Sequence, residues 1–458
     1  MPDRNRLSAL RERLSGVTAS IPHSGSIVER AEIALFGLVI GVVVVTGYLQ
    51  GQLQLVLPVP AVFGGDAVTV LQATMACVTL TGLFGLSTVV LLGQLGRSSE
   101  PTRPTTGPDI TAVVPVYGDE SVLHRSVVSL LQNEYRNLSV VIVAEPDDAA
   151  SIRRGRALTR HDRVELLVND RNPGTKAGAI DYAAAETTSE LLAVFDADER
   201  VDPRFVSSAV ARLDDGRADV VQGRTIPEPE GLTGLAAYYE SVVLGDLSQR
   251  LLTALTGFTV AASRTVVMRR SAFDAVDGYD PEMLTEDYAF AFDCYCSGIE
   301  VVEQFSFAST IEAAHNPTDW WGQRKRWMTG YAQVLHRLVG RGCRRLWSRE
   351  GTHRDVFAPA ICASSVFGNV FMLSLLPKAA VLVAHGRGRW LALPGATLIG
   401  AALVLRVYDT SKGRLGSVGV GYLLLPAVLP LYSLAGIKAV VEYLFTWDGE
   451  WYSVSKGN

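Results

Sequence analysis

Five apolar runs that are almost free of charge limit what this chain can become: residues 31–49, 67–94, 356–384, 390–405 and 416–447. Crossing about 30 Å of hydrocarbon takes about 20 helical residues. All the runs approach or exceed that length except the marginal 390–405. The pattern predicts a multi-pass membrane protein with one large soluble insert over about 105–350. Residues 416–447 exceed one straight span and contain Pro426, Pro430, Lys438 and Glu442. They read either as a span plus an interfacial helix or as a tight hairpin, giving five or six spans in all.

Basic residues set the expected orientation. Arg4, Arg6, Arg11, Arg13 and Arg30 precede the first run, residues 50–66 contain no Lys or Arg, and Arg97 and Arg103 follow the second. By the positive-inside rule the tail (1–30) and the insert are cytoplasmic. Some thirty mostly polar residues before the first run do not resemble a cleavable signal peptide. Residues 31–94 are expected to form two transmembrane helices and 355–447 three or four, ahead of a short tail, 448–458.

Composition excludes some partners. Residues 109–350 hold 36 acidic against 26 basic residues, which argues against a nucleic-acid-binding face. Cys77, Cys294, Cys296, Cys343 and Cys362 show no metal-ligand spacing and read as packing residues.

Within the insert, apolar strands alternate with helices. Strands are expected at 110–117, 138–144, 164–168, 191–195 and 220–224, with helices at 119–133, 148–160, 176–187, 232–255 and 286–298. Strands recurring every twenty-odd residues with helices between them imply βαβ units and a parallel sheet. Neither GxGxxG nor GxxxxGK[ST] is present, so dinucleotide and P-loop readings lack support.

The fourth strand runs into Asp196 and Asp198. Ligands of open α/β sheets bind at the carboxyl ends of strands, and two carboxylates spaced i, i+2 can converge on a hard cation such as Mg²⁺ or Mn²⁺. Alone, the pair reads more readily as solvated turn or helix-capping aspartates. Lys176, the only lysine before residue 325, follows Gly174-Thr175 and opens a helix, where backbone N–H groups favour an anion. Thr285 stands where an N-cap belongs, with Glu286 and Asp287 in the first turn. On a helix over 318–330, Gln323, Arg326 and Trp327 share one face, offering an amide, a guanidinium and an indole. Trp320, Trp321 and Trp347 suit the headgroup region.

These segments together, VVPVYGDE (113–120), PGTKAGAI (173–180), FDAD (195–198), TED (285–287) and QRKRW (323–327), resemble the family 2 inverting glycosyltransferases. The likeness is to the membrane-integrated branch that includes cellulose, chitin, hyaluronan and poly-N-acetylglucosamine synthases, and it covers about residues 108–335. It implies a GT-A domain, α/β and Rossmann-like, over 105–315, with an interfacial QxxRW region at 316–350. It further implies a nucleotide-diphospho-sugar donor and a Mn²⁺ or Mg²⁺ cofactor. By resemblance Tyr117 and Glu120 line the nucleobase and ribose, Lys176 and Asp196 contact the nucleotide, and Asp198 holds the metal. Asp287, with Glu286 beside it, is the catalytic base; Gln323, Arg326 and Trp327 hold the diphosphate and the acceptor sugar. The chain departs from the family at AEPDD, where Glu145 replaces the usual first aspartate; its longer arm can still accept a hydrogen bond from the base or ribose, so it is counted among the substrate-binding residues. The expected partners are the donor, a glycan or lipid-linked acceptor and the bilayer, with room for an accessory membrane subunit.

The acceptor divides two readings. One extends a polysaccharide and exports it; the other adds a single sugar to a lipid. The balance at this stage leans to the polymer. A transporter would not explain the motif-bearing insert, and a phosphotransferase built on Asp196 would want Thr or Val where Arg200 stands.

Overall fold

The computed structural model describes residues 66–96, 102–348, 352–416 and 419–446, with isolated helical positions between 34 and 41. The expected tails and most of the first expected span lie outside the described residues. The first continuous described element is helix α1 (Asp66–Gly96), and an α/β domain follows it. Its elements are β1 (Ile110–Val116), α2 (Leu123–Leu131), β2 (Leu138–Ala144), α3 (Ala149–Leu158), β3 (Val164–Val168), α4 (Lys176–Glu186), β4 (Leu191–Val194) and α5 (Phe205–Asp214). They are followed by β5 (Val220–Pro227), a long helix α6 (231–256), β6 (Val266–Arg269), α7 (Arg270–Asp274), α8 (Glu286–Ser297) and β7 (Val301–Ile311).

The seven strands form one sheet in the order β3-β2-β1-β4-β6-β5-β7. The expectation of a wholly parallel sheet is corrected: β6 runs antiparallel to both β4 and β5, while the other pairings are parallel. Alternate residues of β1 enter different cores, with Ala112, Val114 and Val116 on one face and Val113 on the other. Both faces are therefore covered, as the near-continuous apolar strands require. The chain leaves β1 in one direction to β2 and returns to its other side as β4, so the crevice between β1 and β4 is the topological switch point where ligands bind.

A 32-residue helix, α9 (Pro317–Ser348), covers the site and leads into the C-terminal helices. These are α10 (His353–Phe371), α11 (Leu375–Ala384), α12 (Ala392–Ser411) and α13 (Leu425–Thr446). Among the described residues three helices are long and apolar enough to cross a membrane: Val70–Leu95, Gly388–Ser411 and Gly421–Thr446. The apolar run 356–384 is not one straight span. A 3₁₀ turn at Met372–Ser374 divides it, and Ala358, Ile361, Cys362 and Val366 of α10 pack in the core that includes Tyr288 and Leu335. Residues 416–447 give one helix after a 3₁₀ turn at Gly421–Leu424. Pro426 falls in its first turn, where the missing N–H has no helical partner to lose.

The expected helix 232–255 is present and carries a π-helical segment at Ser241–Ser248. It lies between the sheet and the apolar helices: Tyr238, Val242 and Leu247 pack with Leu91 of α1, Ala402 and Leu405 of α12 and Leu429 of α13. A buried charge cluster ties the same three layers. Arg224 of β5 donates to both oxygens of Asp246 on α6 (2.9 and 2.7 Å) and both of Asp409 on α12 (2.5 and 2.9 Å). Tyr238 Oη gives Asp409 a further bond of 2.9 Å. Removing one partner of a buried ion pair is strongly destabilising because the other charge is stranded. Arg224→Met is therefore expected to lose about 3–5 kcal/mol, read as a lower thermal unfolding midpoint in detergent. Adding Asp409→Asn should restore part of the loss; an unchanged midpoint in the single variant would show that the cluster contributes nothing.

Candidate active site

The loop before α4 is built from β2 and β3. Glu145, at the carboxyl end of β2, accepts from Asn169 Nδ2 (3.1 Å) and from the Gly174 N–H (2.7 Å). Asn169 also pairs with both polar backbone groups of Asn172. Gly174 has φ +99°, a conformation that favours glycine. Thr175 caps α4 by accepting from the Gly178 N–H at 3.0 Å. A Cβ on Gly178 would run into the carbonyl oxygen of Asn172, so the loop closes only over glycine. Lys176 thus leaves the first helical turn in a fixed direction and meets Asp196 Oδ1 at 2.5 Å. The structure thereby joins two residues that the sequence placed in separate motifs. Glu145, expected to meet the base or ribose, is instead buried with both oxygens bonded to this loop.

The aspartate turn after β4 is held from beneath. Glu199, fully buried, accepts from the Asp196 N–H at 3.1 Å and from Thr265 Oγ1. Burial pushes its carboxyl up to about 7; the bond from Thr265 opposes this, and the charge of Asp196 adds to it. Asp198 is also buried, and its Oδ2 accepts from the Glu312 N–H at 3.1 Å. Glu312 is bound in turn by Arg125 at 3.1 Å.

At the end of β1, Tyr117 is exposed, and its hydroxyl donates to Asp147 at 3.4 Å. The Asp147 charge raises the phenol above its ordinary range. The Gly118 N–H donates to Asp148 at 2.7 Å, and Asp148 also caps α3. Glu120 is half-buried in the turn that follows.

Glu286 and Asp287 open α8. Glu286 is buried and accepts from Ser263 Oγ at 2.8 Å. Burial raises its carboxyl, Asp287 adds to the rise, and Lys176 opposes it. Thr285 occupies the N-cap position, but its hydroxyl makes no capping bond, contrary to expectation. Asp287 is half-buried, and its carboxylate accepts from the Tyr288 N–H at 2.8 Å.

Helix α9 completes the site. Burial lowers the Arg326 guanidinium from its ordinary value, and Glu286, Asp287 and Asp196 act in the opposite direction. All three carboxylates therefore lie within electrostatic reach of one arginine. Gln323 and Trp327 are placed by a residue the sequence reading did not single out. Arg324 donates to Gln323 Oε1, and its guanidinium lies 4.4 Å from the centroid of the Trp327 ring. Arg324 is itself fixed by buried Glu240 at 2.8 Å. Trp320 gives its indole N–H to the same carboxylate at 2.7 Å. Trp320 is accordingly a core residue and not a headgroup anchor; Trp321 is half-buried against the same core. The side chain of Trp347 lies outside the described residues.

Also missed were Glu199, Glu240 and His315. The Nε2 of His315 is buried without a hydrogen-bond partner, 3.8 Å from the Glu312 carboxylate. None of the three belongs to a recognisable pattern, although a third acid directly after FDAD is a usable signal for Glu199.

Residues 108–330 match the family model described as glycosyltransferase like family 2. The beta-monoglucosyldiacylglycerol synthase of Trichormus variabilis is 25% identical over 262 residues, covering 54% of this chain and 55% of that one. The pre-mycofactocin glycosyltransferase of Mycobacterium tuberculosis is 31% identical over 188 residues, 40% of this chain and 38% of that one. The chain thus spans about half, or less, of the length of these curated relatives. Among solved structures, the mannosyltransferase PcManGT from Pyrobaculum calidifontis, in complex with GDP-Man and Mn²⁺, is 15% identical. The alignment covers 81% of this chain and 99% of that one, with a TM-score of 0.49. Residues 108–330, a Rossmann-like α/β domain with a mixed sheet, are thus the part of the chain that is similar to the family 2 glycosyltransferases, just under half of its length.

Proposed function

We propose that this chain is a membrane-embedded, inverting glycosyltransferase that moves one sugar from a nucleotide-diphospho-sugar to a lipid hydroxyl. The observation that carries the reading is the convergence of four sequence-distant segments: Lys176 bonded to Asp196, and Arg326 within electrostatic reach of Asp196, Glu286 and Asp287. Displacement at an anomeric carbon needs a base on the acceptor hydroxyl and charge stabilisation on the departing diphosphate. Asp287 takes the acceptor proton, with Glu286 locked beside it by Ser263. Lys176 and Arg326 face the phosphates, Tyr117 and Glu120 the base and ribose, and Gln323 and Trp327 the incoming acceptor. Glu145 acts by holding the Gly174 loop that aims Lys176.

Asp198 suits a hard divalent ion, Mn²⁺ or Mg²⁺, that is held by one or two carboxylates together with substrate phosphates. The orphaned Nε2 of His315 beside Glu312 is a second donor of the right chemistry. When bound, such an ion supplies Lewis-acid stabilisation of the diphosphate.

Two observations favour a lipid acceptor over an exported polymer. An export path needs polar or aromatic-lined space between helices, yet α9 meets α13 closely: a Cβ on Gly436 would sit 3.0 Å from Met328. Tyr432, Ala439 and Val440 of α13 share a buried cluster with Leu335 and Val339 of α9. The relative matched over 262 residues is named for a glucosylated diacylglycerol product. The basic residues flanking the apolar runs support a cytoplasmic catalytic domain.

The test is to incubate purified, detergent-solubilised protein with UDP- and GDP-sugars, Mn²⁺ or Mg²⁺ and extracted lipid. A single sugar on lipid is expected, lost on adding EDTA. A high-mass glycan would instead favour the polymer, and no turnover of any donor would sink the reading. Asp287→Asn should lower turnover by at least about 100-fold with donor affinity retained; full activity in that variant would remove Asp287 as the base.

A further inference from the structure

The loop joining α6 to β6 carries a charged side chain that the proposed reaction leaves without a task. Because β6 is antiparallel to β4, with Val266 opposite Val194, the end of this loop lies beside the aspartate turn. Three anchors fix it there. Gln222 of β5 accepts from the Ala262 N–H at 2.6 Å and donates to the Arg264 carbonyl at 3.1 Å. Ser263 is bonded to Glu286, and Thr265 to Glu199, which holds the Asp196 N–H.

Thr265 has φ +45°, in the left-handed region that a β-branched residue rarely adopts. A Cβ on Gly223, beneath it, would collide with the Thr265 methyl and lie 2.6 Å from Phe205, so the strained turn needs that glycine. Strain of this kind persists only where the surroundings over-determine it, and it clusters at ligand clamps.

Between Ser263 and Thr265 stands Arg264. Its Nε is buried and has no hydrogen-bond partner. Its charge is felt by Arg326, which it repels, and by Tyr331, one helical turn beyond Trp327. Two guanidiniums within reach of each other are unfavourable until an anion lies between them, and the planar fork of arginine matches phosphoryl oxygens in pairs.

We propose that Arg264 is a ligand of the donor's diphosphate and pairs with Arg326 to hold the phosphoryl oxygens that depart as the sugar is transferred. The proposal rests on the glycosyl-transfer reading above. A phosphate on a lipid acceptor would offer the same oxygens, so the test separates the two sources.

Binding of UDP, GDP, UMP and GMP with Mn²⁺ is measured calorimetrically on the full-length protein in detergent, for the unaltered chain, Arg264→Gln and Arg264→Lys. Arg264→Gln should weaken diphosphate binding by about tenfold or more, the worth of one charge-assisted hydrogen bond. Arg264→Lys should recover part of that loss. Monophosphate affinity, the thermal midpoint and KM for the lipid acceptor should not change, which excludes misfolding. Diphosphate binding by Arg264→Gln equal to that of the unaltered chain overturns the assignment. A rise confined to the acceptor KM overturns it too, in favour of an acceptor phosphate. If the unaltered chain binds neither diphosphate, the glycosyl-transfer reading fails and this proposal fails with it.

Discussion

The site depends on the reversal of one short strand. In an open parallel sheet every strand delivers its carboxyl end to the ligand edge. Here β6 runs the other way, so its amino end arrives there, with Val266 paired to Val194 and to Gln222. That reversal sets Ser263, Arg264 and Thr265 against the turn after β4. Through Thr265 and Glu199 it supports the backbone of Asp196; through Ser263 it holds Glu286. β7 contributes from the other side, reaching far enough for the Glu312 N–H to bond Asp198. The turn that carries Asp196 and the helix start that carries Glu286 are therefore both held by one short loop.

Buried charge fixes how this domain meets the helices. Desolvating an ion costs several kcal/mol, so a buried pair persists only where geometry and hydrogen bonding are nearly complete. Arg224 satisfies that condition with bonds to Asp246 and Asp409, and its guanidinium lies 4.4 Å from the centroid of the Phe305 ring. Glu240 does so with Arg324 and Trp320. Apolar contacts alone would let α6 slide between the sheet and the apolar helices, because they are non-directional. The two charge sets define one register. Glu240 immediately precedes the π-helical segment Ser241–Ser248 and Asp246 lies within it, a distortion that is frequent at functional sites.

Much of this was legible in the sequence because the relevant signals are local. β1 to β5 are short apolar runs bounded by turns, and the aspartate pair stands immediately after β4, so its position at the sheet edge followed from the strand alone. Neither β6 nor β7 was expected, and the direction of β6 could not be, since VVMR carries no alternation and a strand's polarity is set by partners distant in sequence. Glu199, Arg264 and Glu240 escaped for the same reason: a lone charged residue acquires meaning only from what faces it. Trp320 misled because an indole suits a headgroup region and a buried carboxylate equally well. The break in the run 356–384 was illegible because its apolar composition is continuous, whereas α10 is set by packing on α8 and α9.

The charges of the site also constrain how a donor can enter. Four carboxyl groups, Asp196, Asp198, Glu286 and Asp287, stand with three cations, Lys176, Arg264 and Arg326. Lys176 is already bonded to Asp196, and Arg326 is divided among three carboxylates. At about 4 Å and an effective dielectric near 20, each unscreened like-charge contact costs about 4 kcal/mol. A diphosphate arriving alone would add negative charge to a site that already has a surplus. Burial and the neighbouring Asp287 raise the Glu286 carboxyl above its ordinary value, the sign expected of crowded negative charge. The surplus has to be matched by positive charge that travels with the donor or waits at Asp198, and by a guanidinium that is not already spoken for. In the proposed reaction these are the divalent ion and Arg264. The same groups then stand where negative charge develops as the glycosidic bond to the diphosphate breaks, so what admits the substrate also stabilises its departure.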